Sequence, residues 1–151
     1  MNIAVAGDHS AVGHTRAIIA HLKQAGHQVE DFGTTTEASC DYPDYAGPAC
    51  ESVAKGRNER VVLVCGTGIG VSMVANKVPG IRCALVHDDV TARLAREHNN
   101  AQALALGARI VDVPTALRLV DTWLSATFEA RHQRRLDKIA AREGCALPTK
   151  P

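Results

Sequence analysis

The chain has 151 residues, of which 46% are hydrophobic and 22% charged, with a formal net charge of +1. A chain of this length forms one domain that buries roughly 68–70% of its unfolded surface, and its near-neutral charge excludes bulk attraction to nucleic acid or to a membrane. Aromatic residues make up only 3%, too few for the stacking platforms of a single-strand binder, so Val, Ile, Leu and Ala must supply the core.

No run of 18 apolar residues occurs, and Met1-Asn2-Ile3-Ala4-Val5-Ala6-Gly7 leads directly into a strand, so neither a membrane span nor a signal peptide is expected. Five cysteines at irregular spacings, without a C-x-x-C pair, predict free thiols and a cytoplasmic protein. The first strand ends in Asp8-His9-Ser10. Ser10 is a candidate N-cap for a helix to about Ala25, with Ile18, Ile19, Leu22 and Ala25 on one face and Gly26 as its stop. His27 to Phe32 reads as a weaker strand closed by Gly33, and residues 34–44 as an irregular polar loop ending in Asp41-Tyr42-Pro43-Asp44. A helix is expected from about Tyr45 to Lys55, followed by a turn at Gly56-Arg57-Asn58-Glu59.

Val61-Val62-Leu63-Val64 reads as a strand buried on both faces, as in a parallel sheet. Cys65 ends it, Gly66, Gly68 and Gly70 follow at alternate positions, and Val71 to Lys77 can form a short helix. After Pro79-Gly80 the pattern gives a strand over Arg82 to Val86, ending in His87-Asp88-Asp89, and a helix over Val90 to His98 that exits at Asn99-Asn100. Ala103 to Leu106 is a further strand, broken by Gly107. Pro114 starts a helix to about Thr127, with Leu117, Val120, Leu124 and Phe128 toward the core, and residues 129–143 form a charged final helix. Residues 144–151, with two prolines, are expected to fray.

Strands alternate with helices five times. This predicts an α/β fold: a Rossmann-like three-layer α/β/α domain over 1–143, with a five-stranded parallel sheet and a C-terminal helix. Ligands of such sheets bind beyond the carboxyl ends of the strands, so Asp8-His9, Cys65-Gly66 and His87-Asp88 are expected to converge.

The glycine loop departs from three familiar patterns. Gly66, Gly68 and Gly70 do not give G-x-G-x-x-G, no lysine follows in the Walker position, and Val71 stands where a cysteine phosphatase would carry arginine. Asp88 mimics the acid that holds a nucleotide ribose, which leaves a nucleotide-binding module as an alternative. What remains is an anion or oxyanion cradle with a thiol at its rim. Most free cysteines are small buried hydrophobes, and Cys40, Cys50, Cys83 and Cys145 are read so. Cys65, beside a helix N-terminus and a nest of N–H groups that stabilise a thiolate, is a candidate nucleophile or carbon-proton base. Arg131 and Arg135, at i and i+4 on one helix face, suit either a phosphate or a solvated surface. His98 can equally be a C-terminal helix cation; His14, His21 and His27 carry no assignment.

The run Cys65-Gly66-Thr67-Gly68-Ile69-Gly70-Val71-Ser72-Met73-Val74-Ala75-Asn76-Lys77 resembles the signature of the type B ribose-5-phosphate isomerases, a superfamily that includes the galactose-6-phosphate isomerase subunits. The likeness continues through Asp8-His9, Asp41-Tyr42-Pro43-Asp44-Tyr45-Ala46, Gly80-Ile81-Arg82, His98-Asn99, Gly107-Ala108-Arg109 and Arg131-His132-Gln133-Arg134-Arg135, over residues 1–140.

The resemblance implies aldose–ketose isomerisation of a sugar phosphate through a cis-enediolate, without metal or organic cofactor. It implies Cys65 as the base between C2 and C1, Thr67 as the shuttle between the sugar oxygens, and the N–H groups of Gly66 to Gly70 as the enediolate cradle. His98 would open the furanose ring, Asp8 and Asn99 would hold hydroxyls, and His9, Arg109, Arg131 and Arg135 would take the phosphate. Tyr42, Gly66, Gly68, Ile69, Gly70 and Ser72 complete the implied substrate site. The family shares its site between subunits, so a homodimer or homotetramer is implied. Departures from the family pattern at Ala11, Thr15, Asn100 and Gln102 bear on the sugar. Ribose 5-phosphate and ribulose 5-phosphate are the expected pair, with a tetrose 4-phosphate or allose or galactose 6-phosphate as alternatives.

Overall fold

The structure is a computed structural model that describes residues 1–143; the tail expected to fray, residues 144–151, and Cys145 within it lie outside the described residues. Five strands, β1 (Asn2–Gly7), β2 (Gln28–Asp31), β3 (Arg60–Cys65), β4 (Cys83–Leu85) and β5 (Ala103–Gly107), form one sheet in the order β2-β1-β3-β5-β4. Every pairing is parallel. Six helices connect or follow them: α1 (Val12–Gln24), α2 (Pro43–Ala54), α3 (Ile69–Ala75), α4 (Asp89–Glu97), α5 (Val113–Ser125) and α6 (Gln133–Glu143).

The two-residue period of a strand divides the core into two layers. Ile3, Val5, Val62, Val64, Leu104 and Leu106 face one way, onto Ile18 and Leu22 of α1, Ala92 and Ala95 of α4, and Leu119 and Trp123 of α5. Ala4, Ala6, Val61, Leu63, Ala103 and Ala105 face the other way, onto Ala46 and Cys50 of α2 and Val71 and Ala75 of α3. The alanines on this second face allow α2 and α3 to lie close against the central strands. Both layers are covered, which explains why β3 and β5 read as unbroken apolar runs.

Several expected details change. Asp8, not Ser10, caps the first helical segment: its side chain accepts from the Ser10 N–H, and a 3₁₀ turn at His9–Ala11 leads into α1. Ala25 is exposed beyond the end of α1. Helix α2 starts two residues earlier than expected, with Pro43 in its first turn, where no N–H partner is lost. In α5 the buried face is Ala116, Leu119, Val120 and Trp123; Leu117 and Leu124 pack at its margin, and Phe128 lies beyond the helix, half-buried. The Trp123 indole N–H donates to the Ala101 carbonyl at 3.2 Å, which lets the ring lie fully buried. The expected final helix divides into a 3₁₀ turn at Ala130–His132 and α6.

The strand order carries the functional correction. Strand β5 inserts between β3 and β4, so β4 is an edge strand and His87-Asp88 leaves the predicted convergence. Asp88 instead caps α4, accepting from the Thr91 N–H at 2.8 Å, and that hydrogen bond holds its carboxyl below the usual range. The third strand end at the site is that of β5, with Arg109.

Candidate active site

Strands β1 and β3 are neighbours whose following helices, α1 and α3, pack on opposite faces of the sheet. This is a topological switch point, where the chain opens a crevice at the carboxyl edge. A cleft of about 440 Å³ lies there, lined by Asp8, His9, Tyr42, Cys65, the glycine loop and Arg109. A larger cavity of about 580 Å³ sits between Arg82-Cys83 and α6; of the predicted site residues only Asn99 lines it.

The loop after β3 is built around Gly68, whose backbone takes φ +77° as the N-cap of α3. A Cβ there would lie 2.5 Å from Leu85 Cδ1 and 2.9 Å from the Leu106 carbonyl carbon. Both the left-handed backbone and the space therefore require glycine. Gly68→Ala is expected to destabilise the fold by about 3 kcal/mol, the sum of left-handed strain and overpacking, read as a lower denaturant midpoint. Gly70 meets the Tyr42 ring in the same way, a Cβ falling 2.5 Å from its Cζ.

Cys65 is 5% exposed, and its Sγ accepts the Gly68 N–H at 3.2 Å. The turn after β5 pins the loop from behind: the Ala108 N–H donates to the Cys65 carbonyl at 2.8 Å and the Arg109 N–H to the Gly66 carbonyl at 3.0 Å. The Thr67 hydroxyl accepts from the Ile69 N–H at 3.3 Å, and the Ser72 hydroxyl donates to the Ile69 carbonyl at 2.7 Å. Gly66, Thr67 and Gly70 line the cleft, and their N–H groups have no hydrogen-bond partner among the described residues. A thiol therefore stands beside backbone donors that are held in place and available to an anion.

The walls add polar groups. Asp8 is buried, accepting from the Ser10 N–H at 3.0 Å and the Ser10 hydroxyl at 2.5 Å. His9 Nδ1 accepts the Cys40 N–H at 3.2 Å, so the proton sits on Nε2. The Arg109 guanidinium lies over Gly66, with Cζ 3.5 Å from where a Gly66 Cβ would be, and forms no ion pair among the described residues. Of the other cysteines, burial pushes the thiol of the core residue Cys50 up to about 12 and that of the half-buried Cys83 higher still, which suits unreactive thiols. Cys40 is different: its Sγ sits 3.7 Å from His9 Nδ1, at the rim of the site.

The remaining predicted residues are elsewhere. His98 follows α4, which runs back from the carboxyl edge, so His98 and Asn99 stand at the amino edge of the sheet; there Arg82, just before β4, donates to the Asn99 carbonyl at 2.9 Å. Strand β5 separates the two groups, and five residues at about 3.3 Å each span roughly 16 Å. Arg131 and Arg135 lie with His98. The Glu129 N–H donates to the Glu97 carbonyl at 2.8 Å, and the Glu129 carboxylate accepts from Arg131 Nε at 2.6 Å, which holds that carboxyl below its usual range. One chain thus assembles Asp8, His9, Tyr42, Cys65, Thr67, the glycines, Ile69 and Arg109 in one cleft. It gathers His98, Asn99, Arg131 and Arg135 at the opposite end.

Residues 3–139 match the model of the Ribose/Galactose Isomerase family. The chain belongs to the ribose/galactose isomerase family. It is 41% identical over 142 residues to ribose-5-phosphate isomerase B of Escherichia coli, covering 93% of this chain and 95% of that one. The structure of ribose-5-phosphate isomerase B of Clostridium thermocellum superposes with a TM-score of 0.93 at 46% identity, covering 95% of this chain and 97% of that chain. That of Mycoplasma genitalium ribose-5-phosphate isomerase B, with ribulose-5-phosphate bound, gives 0.90 at 43% identity, covering 94% and 95%.

The four positions expected to bear on the sugar, Ala11, Thr15, Asn100 and Gln102, make contacts within the fold. The Thr15 hydroxyl donates back to the carbonyls of Ala11 and Val12, and its methyl fills the space beside Gly7. Gln102 accepts from the Arg82 N–H and donates to the Gly80 carbonyl, and Asn100 turns the chain with φ +45°. None of the four lines the Cys65 cleft. Sequence reasoning missed His132, which is 5% exposed and stacks on His98. A signal for it existed: His132, Leu136 and Ile139 fall at i, i+4 and i+7 in an otherwise charged segment.

Proposed function

We propose that this isomerase interconverts ribose 5-phosphate and ribulose 5-phosphate through a cis-enediolate, in a site completed by a second copy of the chain. The observation that carries the reading is the Cys65 thiol held against a fixed nest of N–H donors with the Arg109 guanidinium above it. Cys65 removes the C2 proton of the open aldose and returns it to C1. The N–H groups of Gly66, Thr67 and Gly70 hold the oxyanion that develops as the carbonyl becomes an enediolate, and the Thr67 hydroxyl moves the proton between O1 and O2. His9, through Nε2–H, and Arg109 take the phosphate from one side.

Ring opening needs an acid, and the phosphate has room for further guanidiniums. His98, Asn99, Arg131 and Arg135 fit those tasks but stand at the far end of their own chain, so the reading assigns them to the cleft of a partner. Arg131→Ala is then expected to raise KM roughly tenfold to a hundredfold with kcat within a few-fold, because a charge-assisted phosphate contact serves ground and transition states alike. Initial-rate kinetics check it; an unchanged KM removes Arg131 from the phosphate site.

The substrate is tested with a panel of phosphorylated aldoses. Ribose 5-phosphate is expected to give the highest kcat/KM, and a higher value for a tetrose 4-phosphate or a hexose 6-phosphate overturns the pentose assignment. The ribulose-5-phosphate bound in the Mycoplasma genitalium relative supports the pentose.

A further inference from the structure

In the segment Arg131-His132-Gln133-Arg134-Arg135 the arginines are exposed, and His132 is buried between them. Its ring lies against that of His98, with centroids 4.2 Å apart and planes tilted by 32°. Its Nδ1 takes a hydrogen bond from Arg135 Nη1. A guanidinium can only donate, so Nδ1 is the bare nitrogen and Nε2 carries the proton. That Nε2 is buried without a hydrogen-bond partner among the described residues, and the Glu129 carboxylate stands 3.6 Å away.

The charged and titratable groups facing the ring are Arg131 from the 3₁₀ turn, Arg135 from α6, His98 after α4, and Glu129. Burial, followed by Arg131, the neighbouring His98 ring and Arg135, holds His132 below the ordinary histidine range, with Glu129 opposing. The ring is therefore neutral at physiological pH. His98, Glu129 and His132 also bring potential ligand atoms within 4.8 Å of one another. A cation is disfavoured there, because Nε2 is protonated, Arg131 already occupies Glu129, and two guanidiniums flank the cluster.

We propose that His132 is the positioning residue that couples the ring-opening acid to the phosphate clamp: one side chain braces His98 through its ring face and holds Arg135 through Nδ1. The inference rests on the isomerase reading above. Arg135 thus holds both the phosphate and the ring on which His98 rests, so loss of Arg135 weakens phosphate binding and loosens the acid together. The surface of His132 is closed off, so it acts through His98 and Arg135, not on the sugar.

Three variants separate the links by kinetics with ribose 5-phosphate, each checked for melting temperature and assembly mass. His132→Asn keeps an acceptor for Arg135 but removes the ring; it is expected to lower kcat at least about tenfold with KM within twofold. His132→Phe keeps the ring stack and loses the acceptor, and is expected to raise KM about fivefold or more with kcat less affected. Arg135→Ala, at an exposed position that does not endanger folding, is expected to raise KM and also lower kcat, whereas Arg131→Ala moves KM alone. Arg135→Ala with native kcat, or folded His132 variants with native kinetics, overturns the coupling. If either occurs while Cys65→Ala is inactive, the coupling fails alone; an active Cys65→Ala enzyme overturns the reading beneath it.

Discussion

Cys65→Ala is expected to lower kcat by about a thousandfold or more, within the range lost when a positioned general base is removed. The fold is expected to survive. Deleting one sulfur at the end of β3 leaves a small cavity and one Gly68 N–H without its acceptor, together about 2 kcal/mol, against a typical domain stability of roughly 5–15 kcal/mol. A melting temperature lower by about 4–8 °C follows for a domain of this size. Cys65→Ser separates the two effects, because its hydroxyl still accepts from Gly68 but is a far weaker base. The serine variant should melt close to the native protein and remain as inactive as the alanine variant. Steady-state rates beside thermal melts read both; a serine or alanine variant with more than about a tenth of native kcat removes Cys65 from the base role.

The half of the site that carries this prediction was legible because its chemistry is local. A branched apolar run, a cysteine and glycines at alternate positions specify strand, thiol and cradle within ten residues, and Gly68 must be glycine for reasons internal to the loop. Strand order is not local. Strands β4 and β5 are both short runs of small and branched apolar residues, and nothing in either says which lies beside β3. The sequence therefore favoured His87-Asp88, while the sheet brings Gly107 and Arg109 to the thiol. The capping error has the same character on a smaller scale: Asp8 and Ser10 are both good caps, and closure of the 3₁₀ turn decides for Asp8. His132 was hidden by its neighbours, since a segment with so many charges reads as solvated throughout. Its burial comes from one ring packing on His98, about 34 residues away in sequence and visible only after folding.

Mixing two inactive variants tests the largest claim, that each cleft is completed by a partner. Cys65→Ala and His98→Ala homo-oligomers are each expected to be inactive, because every site lacks the base or the acid. In a two-fold pair carrying one of each, one cleft combines both lesions, while the other combines the native Cys65 of one chain with the native His98 of its partner. Random pairing makes half the dimers hybrid with one intact cleft in two, so activity should return to about a quarter of native. Co-expressing the two chains with different affinity tags and purifying on both enriches the hybrid and should raise the value to about half. The separation imposed by β5 makes this outcome specific: a site contained in one chain has no means of recovering from such mixing. Hybrids as inactive as their parents overturn the shared site. They also return His98, Asn99, Arg131 and Arg135 to an amino-edge cluster with no route to the thiol.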